Sequence, residues 1–170
     1  MSEYTLNSFD GYILTVEGDR LLMKRDCTWG AENLIVTISE DTKILDVGNG
    51  YPILREDMEV GIQVRVYVGE AMTMSLPPIT NGDMILYGRS ADGCSPIYAV
   101  VKSVEKTEDE PIRLVFMNGM EVKVDENTTL LPYLTRNLIR KEDLTPGRRI
   151  LIWPDAENAS RAQKIILFMD

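Results

Sequence analysis

Side chains able to carry acid, base or nucleophilic chemistry are unevenly supplied in this chain, which holds 27 Asp and Glu, 2 Cys and no His. Without imidazole, the commonest general base, the usual partner of a Ser or Cys nucleophile and the commonest transition-metal ligand are all missing. Cys27 and Cys94 form neither a Cys-x-x-Cys motif nor a zinc-type spacing, and read as two separate small residues. Gly48-Asn49-Gly50 lacks the lysine and the following helix of a phosphate-cradling loop. Carboxylate pairs recur at Glu56-Asp57 and Glu142-Asp143. A structural role suffices for them, because acids beside a tight turn accept backbone N–H bonds. Glu108-Asp109-Glu110 lacks the alternating oxygen ligands and the glycine of a dedicated Ca²⁺ loop, so weak surface cation binding is the most it suggests. The expectation is a non-enzymatic protein with no catalytic residue, no cofactor and no metal site.

Binding chemistry has more to build on. Gly69 to Pro78 is uncharged except at Glu70, and Met72, Met74 and Leu76 alternate along it with Thr73 and Ser75 before two prolines hold the chain extended. The candidate binding set is Trp29, Tyr67, Met72, Thr73, Met74, Ser75, Pro77 and Pro78. Two readings compete for it. In the simpler one the methionines rest on the body of the domain as gap-fillers, with Thr73 and Ser75 facing outward. In the other they join Tyr67 and Trp29 in a partly apolar recognition patch. Trp29, beside Gly30, is likewise either a plug at one end of a barrel or an exposed stacking platform.

The elements that must position these residues are written twice. Arg55-Glu56-Asp57-Met58 with Gly61, an alternating run and Tyr67 returns 86 residues later as Lys141-Glu142-Asp143-Leu144 with Gly147, a similar run and Trp153. The same offset relates Glu40-Asp41-Thr42 to Glu126-Asn127-Thr128, and Val36-Thr37-Ile38 to Val122-Lys123-Val124. A self-similarity of this length marks a duplicated domain. Within each copy, short apolar runs of period two are separated by turn residues: Tyr12 to Val16 and Arg20 to Lys24 across Gly18, Ile112 to Met117 and Met120 to Val124 across Asn118-Gly119. Asp10-Gly11 and Asn81-Gly82-Asp83 read as further turns. Five or six short strands per copy, with no helix of useful length, predict an all-β chain of two small barrels, since closure removes the exposed edges of a small sheet. The expected boundaries are a first barrel over 1–88 with a short N-terminal arm, a Gly- and Ser-containing linker over 89–97, and a second barrel over 98–170.

Charge narrows the partners. A net charge of −9 and an isoelectric point near 4.6 oppose the phosphate attraction that dominates non-specific nucleic-acid binding. The basic cluster Arg136, Arg140, Lys141, Arg148 and Arg149 is interrupted by Glu142 and Asp143 and reads as a solvated face. No apolar run approaches the ~20 residues of a membrane span, and no basic-then-apolar segment opens the sequence as it stands, so neither a span nor an export signal is expected in it. Compartment is not legible from these features.

The hairpin, the Glu-Asp-Thr turn, the Glu-Asp-Met/Leu element with its glycine and alternating strand, and the closing strand together resemble small OB-like β-barrel domains of uncharacterised proteins from Gram-positive bacteria, often found near the cell envelope. Gly69 to Pro78 is similar to a loop following the fifth strand in several of these. The second copy departs from it at Pro154 to Asn158, where no Met-Thr or Pro-Pro follows. The resemblance implies two tandem OB-like barrels and an envelope setting, and no reaction. The function expected is a binding or assembly module that presents barrel loops to a protein or cell-envelope partner. The alternative is an OB-type binder of oligosaccharide or single-stranded nucleic acid, using Trp29, Tyr51 and Tyr67 as stacking surfaces.

Overall fold

A computed structural model describes residues 6–26, 32–89, 95–134 and 138–168. Contacts divide the chain into two compact units, residues 4–93 and 94–170. Among the described residues there is no α-helix, and none that is long and apolar enough to cross a membrane.

In the first unit β1 (Asn7–Glu17), β2 (Arg20–Arg25) and β3 (Asn33–Thr37) form an antiparallel meander. After β4 (Lys43–Asp46) and a 3-10 turn at Arg55–Asp57, β5 (Gln63–Met72) pairs antiparallel with the first half of β1 and with β6 (Ile79–Tyr87). The start of β6 then closes the cylinder by pairing parallel with β3 from Ile35↔Ile79 to Thr37↔Asn81. The result is a closed five-stranded barrel with Greek-key connections, the OB arrangement. β4 is a sixth strand outside that ring, parallel to the second half of β6.

The second unit repeats this order. β7 (Ile97–Glu105), β8 (Ile112–Phe116) and β9 (Glu121–Val124) form the meander, β11 (Arg149–Pro154) pairs with β7 and with β12 (Ala162–Phe168), and β10 (Thr129–Pro132) lies parallel to β12. Closure between β9 and β12 is reduced to one parallel bridge, Lys123↔Arg161. Each barrel has its own apolar interior, Ile13, Leu21, Met23, Leu34, Val66 and Ile85 at the heart of the first, and Val101, Leu114, Phe116, Val124, Ile150 and Ile165 in the second.

The duplication holds at the level of single hydrogen bonds. The Thr42 hydroxyl accepts from Ser39 N–H at 3.0 Å and donates to Gly82 C=O at 2.7 Å. Eighty-six residues on, the Thr128 hydroxyl accepts from Asp125 N–H at 3.2 Å and donates to Ala162 C=O at 2.7 Å. Each threonine thereby ties the turn after the third strand to the last strand. The Glu-Asp pairs sit in the two 3-10 turns, at Arg55–Asp57 and Lys141–Asp143. Met58 and Leu144 cap the cores beneath them, and Gly61 and Gly147 take φ of 88° and 90°, where a side chain is strained. In the second copy Asp143 accepts the Arg140 N–H at 2.8 Å, the backbone role anticipated for these acids. Thr128→Val keeps the shape of a buried side chain and leaves Asp125 N–H and Ala162 C=O without it. A loss of about 1–3 kcal/mol is expected in denaturant titration, larger than for Thr42→Val, whose site is only half-buried.

Two glycines differ from expectation. Asp10-Gly11 is not a turn: β1 runs unbroken from Asn7, and Gly11 faces both Arg25 and Val64 where the strand passes from one neighbour to the other. Gly82 lies inside β6, where a Cβ would come 2.7 Å from Val36 Cγ1. Both mark close approach of neighbouring chain rather than reversal. Of the stretch read as irregular from Gly69, Gly69 to Met72 belongs to β5. The linker read over 89–97 keeps only residues 89 and 95–97 in view, and Cys27 and Cys94 lie outside the described residues.

Candidate functional site

The connection from β5 to β6, Thr73 to Pro78, is six residues long and ordered by its own hydroxyls. Ile79 N–H donates to Thr73 Oγ1 at 2.8 Å, Thr73 Oγ1 and Ser75 Oγ are 2.6 Å apart, and Ser75 Oγ donates to Pro77 C=O at 3.0 Å. Because Ser75 uses its only hydrogen on Pro77, the hydrogen between the hydroxyls comes from Thr73, and each hydroxyl accepts once and donates once. Thr73 N–H closes the loop's base on Ile79 C=O at 2.9 Å, and Thr80 Oγ1 donates to Ala71 C=O at 2.8 Å.

This network leaves Thr73 and Ser75 exposed, as alternation led one to expect, but the apolar side chains between them do not turn inward. Thr73 and Ser75 turn onto the loop's own backbone, and the apolar side chains point to solvent: Met74 is 102% exposed and Leu76 88%, with Met72 at 38%. Met74 therefore does not seal the barrel. Pro77 is half-buried and Pro78 buried, its carbonyl accepting Ile35 N–H at 3.0 Å, so the loop's return end is anchored to β3. At the loop's base a depression of about 310 Å³ is lined by Ala71, Met72, Thr73, Ile79, Thr80 and Asn81, none of them charged.

The structure thus brings together Met72, Thr73, Met74, Ser75, Pro77 and Pro78 of the expected set. Tyr67 does not join them. It is 6% exposed on β5, because Tyr67 and both valines beside it are buried and the strand is covered on two faces there. Trp29 lies outside the described residues. Trp153, the counterpart of Tyr67 in the repeat, is buried at 8% with Lys164 Nζ 4.2 Å from its ring centroid. Leu76, which alternates with the methionines in the sequence, joins Met74 as an exposed apolar side chain.

The corresponding connection in the second barrel, between β11 and β12, has the opposite chemistry. Arg161 donates through Nη1 to Asp155 Oδ2 at 2.5 Å, through Nε to Asp125 Oδ2 at 2.5 Å and through Nη2 to Asp125 Oδ1 at 2.9 Å. Asp125 and Arg161 occupy the places of Ser39 and Asn81, so this clamp belongs to the second copy alone. The Arg161 guanidinium, with help from Asn127 N–H and the Thr128 hydroxyl, lowers the Asp125 carboxyl to about 2. Asp155 is lowered as well, first by Glu157 N–H and then by Arg161, and Arg161 is raised in return. A carboxyl depressed on folding stabilises the native state above its unfolded value near ~4 and loses that contribution as pH falls through its folded value. Melting of the second barrel should therefore drop steeply between about pH 4 and pH 2. Arg161→Gln should lower the melting temperature at pH 7 and flatten that acid limb, as read from thermal scans at stepped pH.

Elsewhere in the second barrel, Glu108, Asp109, Glu110, Asp125, Glu126 and Lys141 are among the residues that line a recess of about 370 Å³. Among the described residues no three His, Cys, Asp or Glu side chains are grouped so as to hold a metal ion. Of the basic cluster, Arg136 lies outside the described residues. No protein-family model matches the chain, and no curated protein matches it.

Proposed function

We propose that this protein is a non-enzymatic binding or assembly module that docks on a protein or cell-envelope partner through the β5–β6 loop of its first barrel. The observation that carries the reading is the pair Met74 and Leu76, presented to solvent on a loop whose hydroxyls are already committed to its own backbone. A fully exposed apolar pair is costly to keep in water, and covering each side chain is worth about 1.5–3 kcal/mol. A loop held in one shape loses little conformational freedom on association, so more of that gain appears as affinity. The loop between the fourth and fifth barrel strands is also one of the two from which OB barrels commonly recognise ligands. Net charge of −9 favours an uncharged or basic-rimmed partner over nucleic acid. The envelope setting follows from the resemblance of the two barrels to envelope-associated domains of Gram-positive bacteria.

Site-specific photo-cross-linking tests the proposal. With benzoyl-phenylalanine at position 74 or 76, a discrete adduct is expected from an envelope fraction, with none from position 156 in the equivalent loop of the second barrel. The same adducts from all three positions would remove the loop from the account.

A further inference from the structure

We infer that Met74 is a reversible oxidation site that switches the character of the docking loop; its effect on docking rests on the binding reading above, whereas the modification itself does not. The chain has nine methionines. Among the described ones Met23 and Met84 are fully buried, Met58 is 7% exposed, Met120 is half-buried, Met72 and Met117 are 38% and 40% exposed, and Met74 stands at 102%. A peroxide must reach the sulfur along the axis of its own O–O bond, so packing protects a core thioether and leaves the Met74 sulfur open from every side. The reaction needs a hydroperoxide, ROOH. Its terminal oxygen is transferred to sulfur, the O–O bond breaks as the S–O bond forms, and the hydroperoxide proton leaves with the departing oxygen as ROH. Sulfur loses two electrons and the peroxide gains two, giving the sulfoxide, which sulfoxide reductases return to the thioether.

The loop is built so that this change alters surface chemistry without altering shape. The chain of hydrogen bonds from Ile79 through Thr73 and Ser75 to Pro77 includes no Met74 atom beyond what the backbone contributes. Oxidation therefore leaves a folded loop whose tip carries a strongly accepting oxygen in place of an apolar thioether. A partner surface that covers the thioether would have to desolvate that oxygen without satisfying it, and docking should weaken about 10- to 100-fold.

Limited treatment of the full chain with hydrogen peroxide, followed by peptide mapping, should place the first oxygen added to any described methionine on Met74, with Met72 and Met117 slower and Met23 and Met84 unmodified while the protein is folded. Oxidation of Met74 no faster than of Met84 overturns the site. The switch is read on a phenyl-substituted matrix. Oxidised protein should elute earlier than its untreated form, a sulfoxide reductase should restore the original position, and Met74→Leu should show no shift between its own treated and untreated forms. An equal shift in Met74→Leu assigns the effect to another methionine and overturns the switch, as does no shift in the parent chain. The docking arm is kept separate. If Met74→Asp abolishes cross-linking from position 76 and oxidation does not, the switch fails and the docking reading stands. If neither abolishes it, the docking reading fails.

Discussion

Gly11→Ala is expected to lower the melting temperature of the first barrel by about 15 °C, from a loss of about 3 kcal/mol at roughly 4–8 °C per kcal/mol for a domain of this size. The cause is a collision with backbone. A Cβ at Gly11 would overlap the Lys24 carbonyl oxygen and stand 2.9 Å from both the Lys24 carbonyl carbon and Met23 Cε. Met23 could rotate away, but the carbonyl could not, since Lys24 is paired with Tyr12 on one side and Asn33 on the other. Relief requires β1 and β2 to part at the point where β1 also holds Val64 of β5, so both ladders are weakened together. In the second barrel Ala99 stands at the related position, facing Ile150, and the pairing of β7 with β8 begins only at Val101; no such approach exists there and a Cβ is accepted. Gly119→Ala is the control. It has nothing within 4 Å of its Cβ position and only a positive φ of 87° to lose, so about 1 kcal/mol is expected. Thermal melts read both variants, and a Gly11→Ala melting temperature within 2–3 °C of the parent, roughly the effect of half a kcal/mol, would show that the strands do not approach as described.

The duplicated architecture was legible in the sequence because the repeat combines features with one physical meaning each. Thr42 and Thr128, Gly61 and Gly147, and the two Glu-Asp turns sit at one offset and do one job in both barrels. Gly11 and Gly82 were misread because a glycine reports only that no Cβ fits, and a reversal and a close approach require that equally. Tyr67 departs from the one buried side that period two implies, because β5 is covered on both faces at Val66 to Val68. The loop failed for a different reason. Alternation of Met72, Met74 and Leu76 orients side chains only when a ladder holds the backbone flat, and past Met72 the hydroxyls of Thr73 and Ser75 set the backbone instead. Local hydrogen-bond competition of that kind leaves the apolar side chains in solvent without changing the sequence pattern.

Under the proposed reading, the exposed apolar tip is what distinguishes the first barrel's connection from the second's. The two connections between the last strands occupy the same position in the same fold, yet one ends in Met74 and Leu76 and the other is bound by Arg161 to Asp125 and Asp155. If docking depends on the apolar tip, Met74→Asp with Leu76→Asp removes two covered side chains and forces two carboxylates toward an apolar surface. A loss of at least 100-fold in affinity follows from the burial lost, even when only part of it converts to binding free energy. The fold should not register the change, because both side chains are already in solvent and surface substitutions of this kind stay within about 0.5 kcal/mol. Ala156→Asp with Ala159→Asp, on the exposed part of the second loop, provides the matched charge change.

The direct measurement is the affinity of the two double variants and the parent chain for the partner identified by cross-linking at position 74, with a melting curve for each. Loss of binding in the Met74 and Leu76 variant alone, at an unchanged melting temperature, is the result expected. Equal binding by all three proteins, or equal loss in both variants, would contradict the assignment of function to the first barrel's β5–β6 loop.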